Sequence, residues 1–156
     1  MLPPRRYALR LLLALASLGC LPLLHAANIG IASSQPLLFG KFVAASGSVT
    51  VSPSGTRVAS GGIVLLQTGP GQAAQFVVSG NANVTYAVTL PADGTVSLSN
   101  GGTSVSVNAF ASSPAATGLL SGGGTQLLNV GARLDVTAGL PAGAYSGTFS
   151  VVVDYN

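Results

Sequence analysis

The chain has 156 residues and a formal charge of +3, yet only 6% of its residues are charged. Arg5, Arg6 and Arg10 account for the excess, so residues 27–156 set Lys41, Arg57 and Arg133 against Asp93, Asp135 and Asp154 and are formally neutral. That balance removes the electrostatic warrant for a nucleic-acid or anionic-membrane partner, and a nearly uncharged surface favours association.

Residues 1–26 read as a secretory signal peptide. The three arginines make a positive head, Leu11 to Leu18 is an apolar run, and Leu24-His25-Ala26 ahead of Ala27 offers a small residue at a cleavage point. The run is too short for a membrane span and is broken by Gly19 and Pro22. Cys20 lies in this leader, which leaves the exported part without a disulfide. Its lipidation stays open, because Gly19 precedes it correctly while Ser17 and Leu18 fit a lipidation signal poorly. Export places the protein in the periplasm, on the cell surface or outside the cell, with no transmembrane segment after cleavage.

Residues 27–36 are small and polar apart from Ile29 and Ile31, and read as a flexible segment before a domain over 37–156. Strands are expected at Leu37 to Val43, Gly47 to Ser52, Gly62 to Gln67, Ala74 to Ser79 and Val84 to Leu90. Pro53-Ser54-Gly55, Gly69-Pro70-Gly71 and Pro91-Ala92-Asp93-Gly94 carry turn chemistry between them. Thr95 to Ser99 and Thr103 to Phe110 form a hairpin across Asn100-Gly101-Gly102. A polar loop follows from Ala111 to Gly124, and alternation resumes from Gln126 to Val136.

The stretch Gly143 to Asn156 alternates most clearly. Tyr145, Gly147, Phe149, Val151, Val153 and Tyr155 share one face, and the other face is mostly polar. Burying the large side chains of that face is worth on the order of 10 kcal/mol, but ordering the backbone costs about 1 to 2 kcal/mol per residue. The strand must therefore lie in a sheet with a second layer over it. No helical period occurs after the leader, so eight or nine short strands predict an all-β, antiparallel, immunoglobulin-like sandwich.

Catalytic chemistry has little to work with. Residues 27–156 contain no Cys, His or Glu, which removes a thiol nucleophile, a histidine base and the usual zinc or copper ligands. Asp93 precedes Gly94 in a turn, while Asp135 and Asp154 occupy outward strand positions suited to cross-strand pairing with arginine. The glycine clusters lack the following helix and Lys-Ser/Thr of a phosphate cradle. No catalytic, cofactor or metal site is expected, and the protein reads as a non-enzyme.

Two resemblances carry further expectations. Leu38-Phe39-Gly40, Gly47-Ser48-Val49-Thr50-Val51, Ser60-Gly61-Gly62, Ala74-Gln75-Phe76, Tyr86 with Thr89-Leu90-Pro91, Gly123-Gly124-Thr125 and the final stretch together resemble a secreted bacterial family catalogued as domain of unknown function 4402. That family name implies no activity. The final stretch also resembles the ends of chaperone-usher pilus subunits, with Gly143 fourteenth from the end and Tyr155 penultimate. This second resemblance implies a strand that pairs with a periplasmic chaperone, and a neighbour's N-terminal segment that later completes the sandwich. Gly143, Tyr145, Phe149, Val151, Val153 and Tyr155 are then the pairing residues, and Ile29 and Ile31 the donor residues. The expected function is a cell-surface or fimbria-like structural or adhesive subunit that self-assembles by strand addition. The alternative is a self-complete binding module, favoured if Ile29 and Ile31 dock in their own domain.

Overall fold

The computed structural model describes residues 28–156, so the expected signal peptide, with Cys20 and His25, lies outside the described residues. Every regular element among them is a strand, and all pairings are antiparallel. In chain order the strands are β1 (Gly30–Gln35), β2 (Phe42–Val43), β3 (Gly47–Val51), β4 (Arg57–Gly61), β5 (Val64–Leu65) and β6 (Ala74–Ser79). They continue with β7 (Thr85–Thr89), β8 (Val96–Ser99), β9 (Ser104–Ser113), β10 (Thr117–Leu119), β11 (Thr125–Val136) and β12 (Val152–Tyr155).

The long strand β11 organises the molecule. Its first half, Thr125 to Val130, pairs with β6, and its second half, Ala132 to Val136, pairs with β3. Gly131 marks the handover, where a Cβ would run into the backbone of Val51 to Pro53. The opposite edge of β11 pairs with β9, which bulges between Asn108 and Ala111. Ala109 there has φ of 49°, and its amide donates to Asp93 Oδ1 at 2.7 Å while the Gly94 amide donates to Asn108 Oδ1 at 2.7 Å. The turn expected at Pro91 to Gly94 thus fixes a bulge in a different strand. With β1 beside β6, β4 beside β3 and β8 beside β9, the sheet has seven strands. A second sheet has the order β10-β7-β12, and β2 and β5 form a small third one.

Two apolar clusters result. In the first, Val49 and Val51 meet Val105, Val107 and Leu134, with Phe39 and Ile63 packed in from the segments around β2 and β5. In the second, Val78, Leu128 and Val130 of the large sheet face Tyr86 and Val153 of the three-stranded sheet, together with Leu120. Each fully buried side chain in these clusters is worth roughly 1.5 to 3 kcal/mol.

Several boundaries differ from expectation for local reasons. The strand expected at Leu37 to Val43 is interrupted at Gly40, whose φ of 73° and close approach to the Gly69 and Pro70 backbones leave only a bridge at Leu38 and the short β2. Only Val64 and Leu65 of the apolar run at 62–67 enter a ladder, and Ile63, just before them, is buried in the first cluster. The loop expected at 111–124 contains the end of β9 and all of β10, on either side of a cis Ser113-Pro114 peptide. The segment expected to be flexible at 27–36 contains β1, so the domain's first strand begins at Gly30 rather than near Leu37.

Candidate functional site

The residues singled out in the final stretch divide between the two clusters. Tyr145 packs on the first, half-buried, and its hydroxyl donates to Pro141 O at 2.9 Å. Ser146 then pairs with Ser99 beside β8 through two backbone bonds of 2.8 and 3.0 Å. At Gly147 a Cβ would collide with the Ser97 carbonyl, so this glycine permits the close approach to β8. Phe149 and Val151 turn into the second cluster, where Phe149 meets Phe110 at 5.2 Å and stands edge-on to Phe76 at 6.1 Å. Val153 is buried against Tyr86, and Tyr155 accepts a 2.7 Å bond from the Asn81 amide.

The expected single strand is therefore not continuous. It pairs at Ser146 and again as β12, from Val152 to Tyr155 along β7, with no ladder at 147–151. The cause is topological: the segment leaves the edge of one sheet and joins the edge of another, and one backbone cannot stay in register with both. Gly143 lies outside this arrangement. It is exposed, and a Cβ there would touch only Asn100 Nδ2, at 3.5 Å.

Ile29 and Ile31 are found where the second half of this stretch is found. Both are half-buried against the second cluster, alongside Phe149, Val151 and Tyr155, and β1 runs next to β12 while pairing with β6. The residues read as donor and most of those read as acceptor thus meet within one chain. The sequence offered little to find β1 by, since Ile31 is its one large apolar residue, Ile29 lies just before it, and the rest of the strand is small or polar.

Beside the unpaired segment runs a groove of about 400 Å³, between the end of β7 and the start of β8. Thr89, Thr95, Thr148 and Ser150 give it hydroxyls, and Val96 and Phe149 give it apolar walls. It offers hydrogen bonding and contact area, with no titratable group along it. Elsewhere, among the described residues, no three acidic or His/Cys side chains come together as metal ligands. Asp135 is engaged by Arg133 Nε at 2.8 Å and Asn108 Nδ2 at 2.7 Å. Burial works to raise its pKa, but those two hydrogen bonds and the Arg133 charge outweigh it and hold the carboxyl below its ordinary range. Burial pushes the Tyr86 phenol up from its ordinary value, and its hydroxyl donates to Gln126 Oε1 at 2.8 Å.

The family described as Domain of unknown function (DUF4402) matches residues 29–155, from the first core isoleucine to the tyrosine that closes β12. The chain belongs to this family. The match includes β1, so the DUF4402 domain takes in the segment that docks on β6. No curated protein and no solved structure is significantly similar to the chain.

Proposed function

We propose that this DUF4402 protein is an exported, non-enzymatic structural or adhesive module of the bacterial surface, an immunoglobulin-like β-sandwich complete within a single chain. The observation that carries the reading is the docking of Ile29 and Ile31 beside Val151, Val153 and Tyr155. A sandwich that needed a neighbour's strand would leave this place open. Here its own β1 occupies it and bonds along β6 from Gly30 to Gln35. The absence of Cys, His and Glu after residue 26 supports a binding or building role over catalysis, as does the hydroxyl-lined groove.

A second reading keeps the same residues and exchanges the strand between chains. It is favoured by one feature of β1: a ladder holds it along β6 alone, and Ala32, Ser33 and Ser34 are exposed. A segment held on one side can leave and dock on a neighbour, building a fimbria-like fibre, with a periplasmic chaperone covering the vacated edge before assembly. The test is an SDS gel of material sheared from producing cells, run unheated and heated. The self-complete module gives one subunit band in both lanes. A ladder in the unheated lane that collapses on heating would replace it with the exchanged fibre.

A further inference from the structure

One strand edge of the large sheet is left open. β4 is the last strand of that sheet, and its one ladder is with β3. Ser52 N donates to Thr56 O at 2.9 Å and Gly62 N to Ser46 O at 3.0 Å, and these bonds bracket the ladder and set its phase. Bonded and non-bonded residue pairs alternate along an antiparallel ladder, so Ser48 with Ser60 and Thr50 with Val58 are bonded pairs. Arg57 and Ala59, on either side of Val58, therefore turn their backbone N–H and C=O groups away from β3. Nothing among the described residues bonds to those groups.

Other edges carry the devices that discourage strand pairing. β1 has a register irregularity between Ser33 and Gln35, Ser146 bonds to Ser99 at the end of β8, and β12 carries the exposed Asp154. β2, β5 and β10 are two or three residues long. β4 has no bulge and no proline. The charge of Arg57 would repel a neighbour if it stood in water, but its guanidinium is held by the carbonyls of Phe39, Lys41, Leu66 and Gly69. Between the two open residues stands Val58, at 58% the most exposed large apolar side chain among the described residues.

We infer that β4 is a dimerisation strand whose partner is β4 of a second copy of this chain, antiparallel about a two-fold axis beside Val58. In that register Arg57 bonds with Ala59 of the partner subunit and Ala59 with Arg57 of the partner subunit, so every outward group between them is used. Val58 meets Val58 of the partner subunit in a non-bonded pair, where Cα atoms are about 4.5 Å apart and side chains stand closest. The contact is self-complementary, as a two-fold interface must be, and it joins two large sheets into one. Charge favours the same occupant: residues 27–156 are formally neutral, so a second copy brings no net repulsion, and Arg57 lies opposite Ala59 rather than its own copy. Area limits the strength. A five-residue edge falls well below the roughly 1,200 to 2,000 Å² of a stable interface, so the Kd is about 0.1 to 1 mM, and the dimer becomes populated where copies are held close together.

The test is analytical ultracentrifugation of the purified exported protein from about 10 μM to about 1 mM, a range that spans this affinity. A reversible rise in mass that ends at two copies is expected. Val58→Lys sets like charges directly opposite each other across the axis and should weaken association at least tenfold. Ala59→Pro removes an outward N–H while sparing the ladder to β3, a change an edge strand tolerates, and should act in the same direction. Val58 is exposed, so its variant stays informative if Ala59→Pro fails to fold. Val77→Lys, on the outer face of β6, should leave association unchanged. A monomer throughout, a dimer indifferent to Val58→Lys, or growth beyond two copies would overturn the inference. A dimer of this kind exchanges no strand and dissociates in SDS, so the gel of sheared material and the ultracentrifuge fail separately.

Discussion

At the scale of single residues, Arg57 does the most work away from the clusters. Its guanidinium has no carboxylate partner among the described residues and instead binds four backbone carbonyls. Nη1 donates to Phe39 O, Lys41 O and Gly69 O at 3.1, 3.2 and 2.9 Å, and Nη2 to Leu66 O at 2.8 Å. It thereby ties β4 to the segments that carry β2 and β5 over the first cluster. Arg57→Ala should lower stability by about 2 to 3 kcal/mol, since bonds to charged groups are the strong ones. Arg57→Lys should recover less than half, because one ammonium cannot reach the same spread of acceptors; urea midpoints of the two variants decide. Asp135 makes a different prediction, in acid. Its native pKa is depressed, so its stabilising contribution is complete above the ordinary carboxylate value of about 3.9 and is lost as pH falls through the lower native value. Melting temperature followed downward from about pH 6 should fall in that window. The fall should be shallower in Asp135→Asn.

At the scale of elements, what the sequence made legible were strands buried on one face and paired on both edges. Val49 and Val51 in β3, Tyr86 in β7, and Leu128, Val130 and Leu134 in β11 announce themselves because the second layer demands apolar side chains at alternate positions. The glycine turns between strands were legible for the same local reason: Gly55, Gly94 and Gly101 have positive φ. Three strands were not legible. In β1, β4 and β10 a pairing on one edge and a face open to water relax the demand for alternation, and Ala-Ser-Ser-Gln, Arg-Val-Ala-Ser-Gly and Thr-Gly-Leu show little of it. The final stretch failed in the opposite way, since its alternation runs unbroken through a segment where the backbone changes sheets. In the candidate site, Ile29 and Ile31 could be named from hydrophobicity, but where they dock depends on β6, which lies more than forty residues along the chain. β1 carries its own prediction. Ile31→Asp places a charge against the second cluster and should release the strand, at a cost of about 2 to 4 kcal/mol. Hydrogen exchange should then accelerate along β1 and the facing edge of β6, whereas Ser33→Lys, at an exposed position, should leave both protected. Unchanged protection in Ile31→Asp would remove the basis for a chain completed by its own first strand.

At the scale of the whole molecule, the two clusters are joined by shared strands. Leu128 and Val130 belong to the second cluster and Ala132, Leu134 and Val136 to the first, and all five lie on β11. β9 reinforces the link, because Val105 and Val107 enter the first cluster while Phe110 packs against both. Loss of either cluster would strip β11 of half its cover and half its partners, and neither half of a divided β11 has enough apolar area to stand alone. Unfolding should therefore be a single transition, with near- and far-ultraviolet circular dichroism giving the same midpoint. The tyrosines report on both ends, Tyr145 from the first cluster and Tyr86 and Tyr155 from the second. Leu128→Ala and Leu134→Ala, one in each cluster, should each cost about 2 to 5 kcal/mol. Each should also move the entire transition rather than split it. If Leu134→Ala instead lowered an early step and left the Tyr86 environment intact to the original midpoint, the clusters would be independent. Coupling through β11 would then have no part in holding β1 and β12 together.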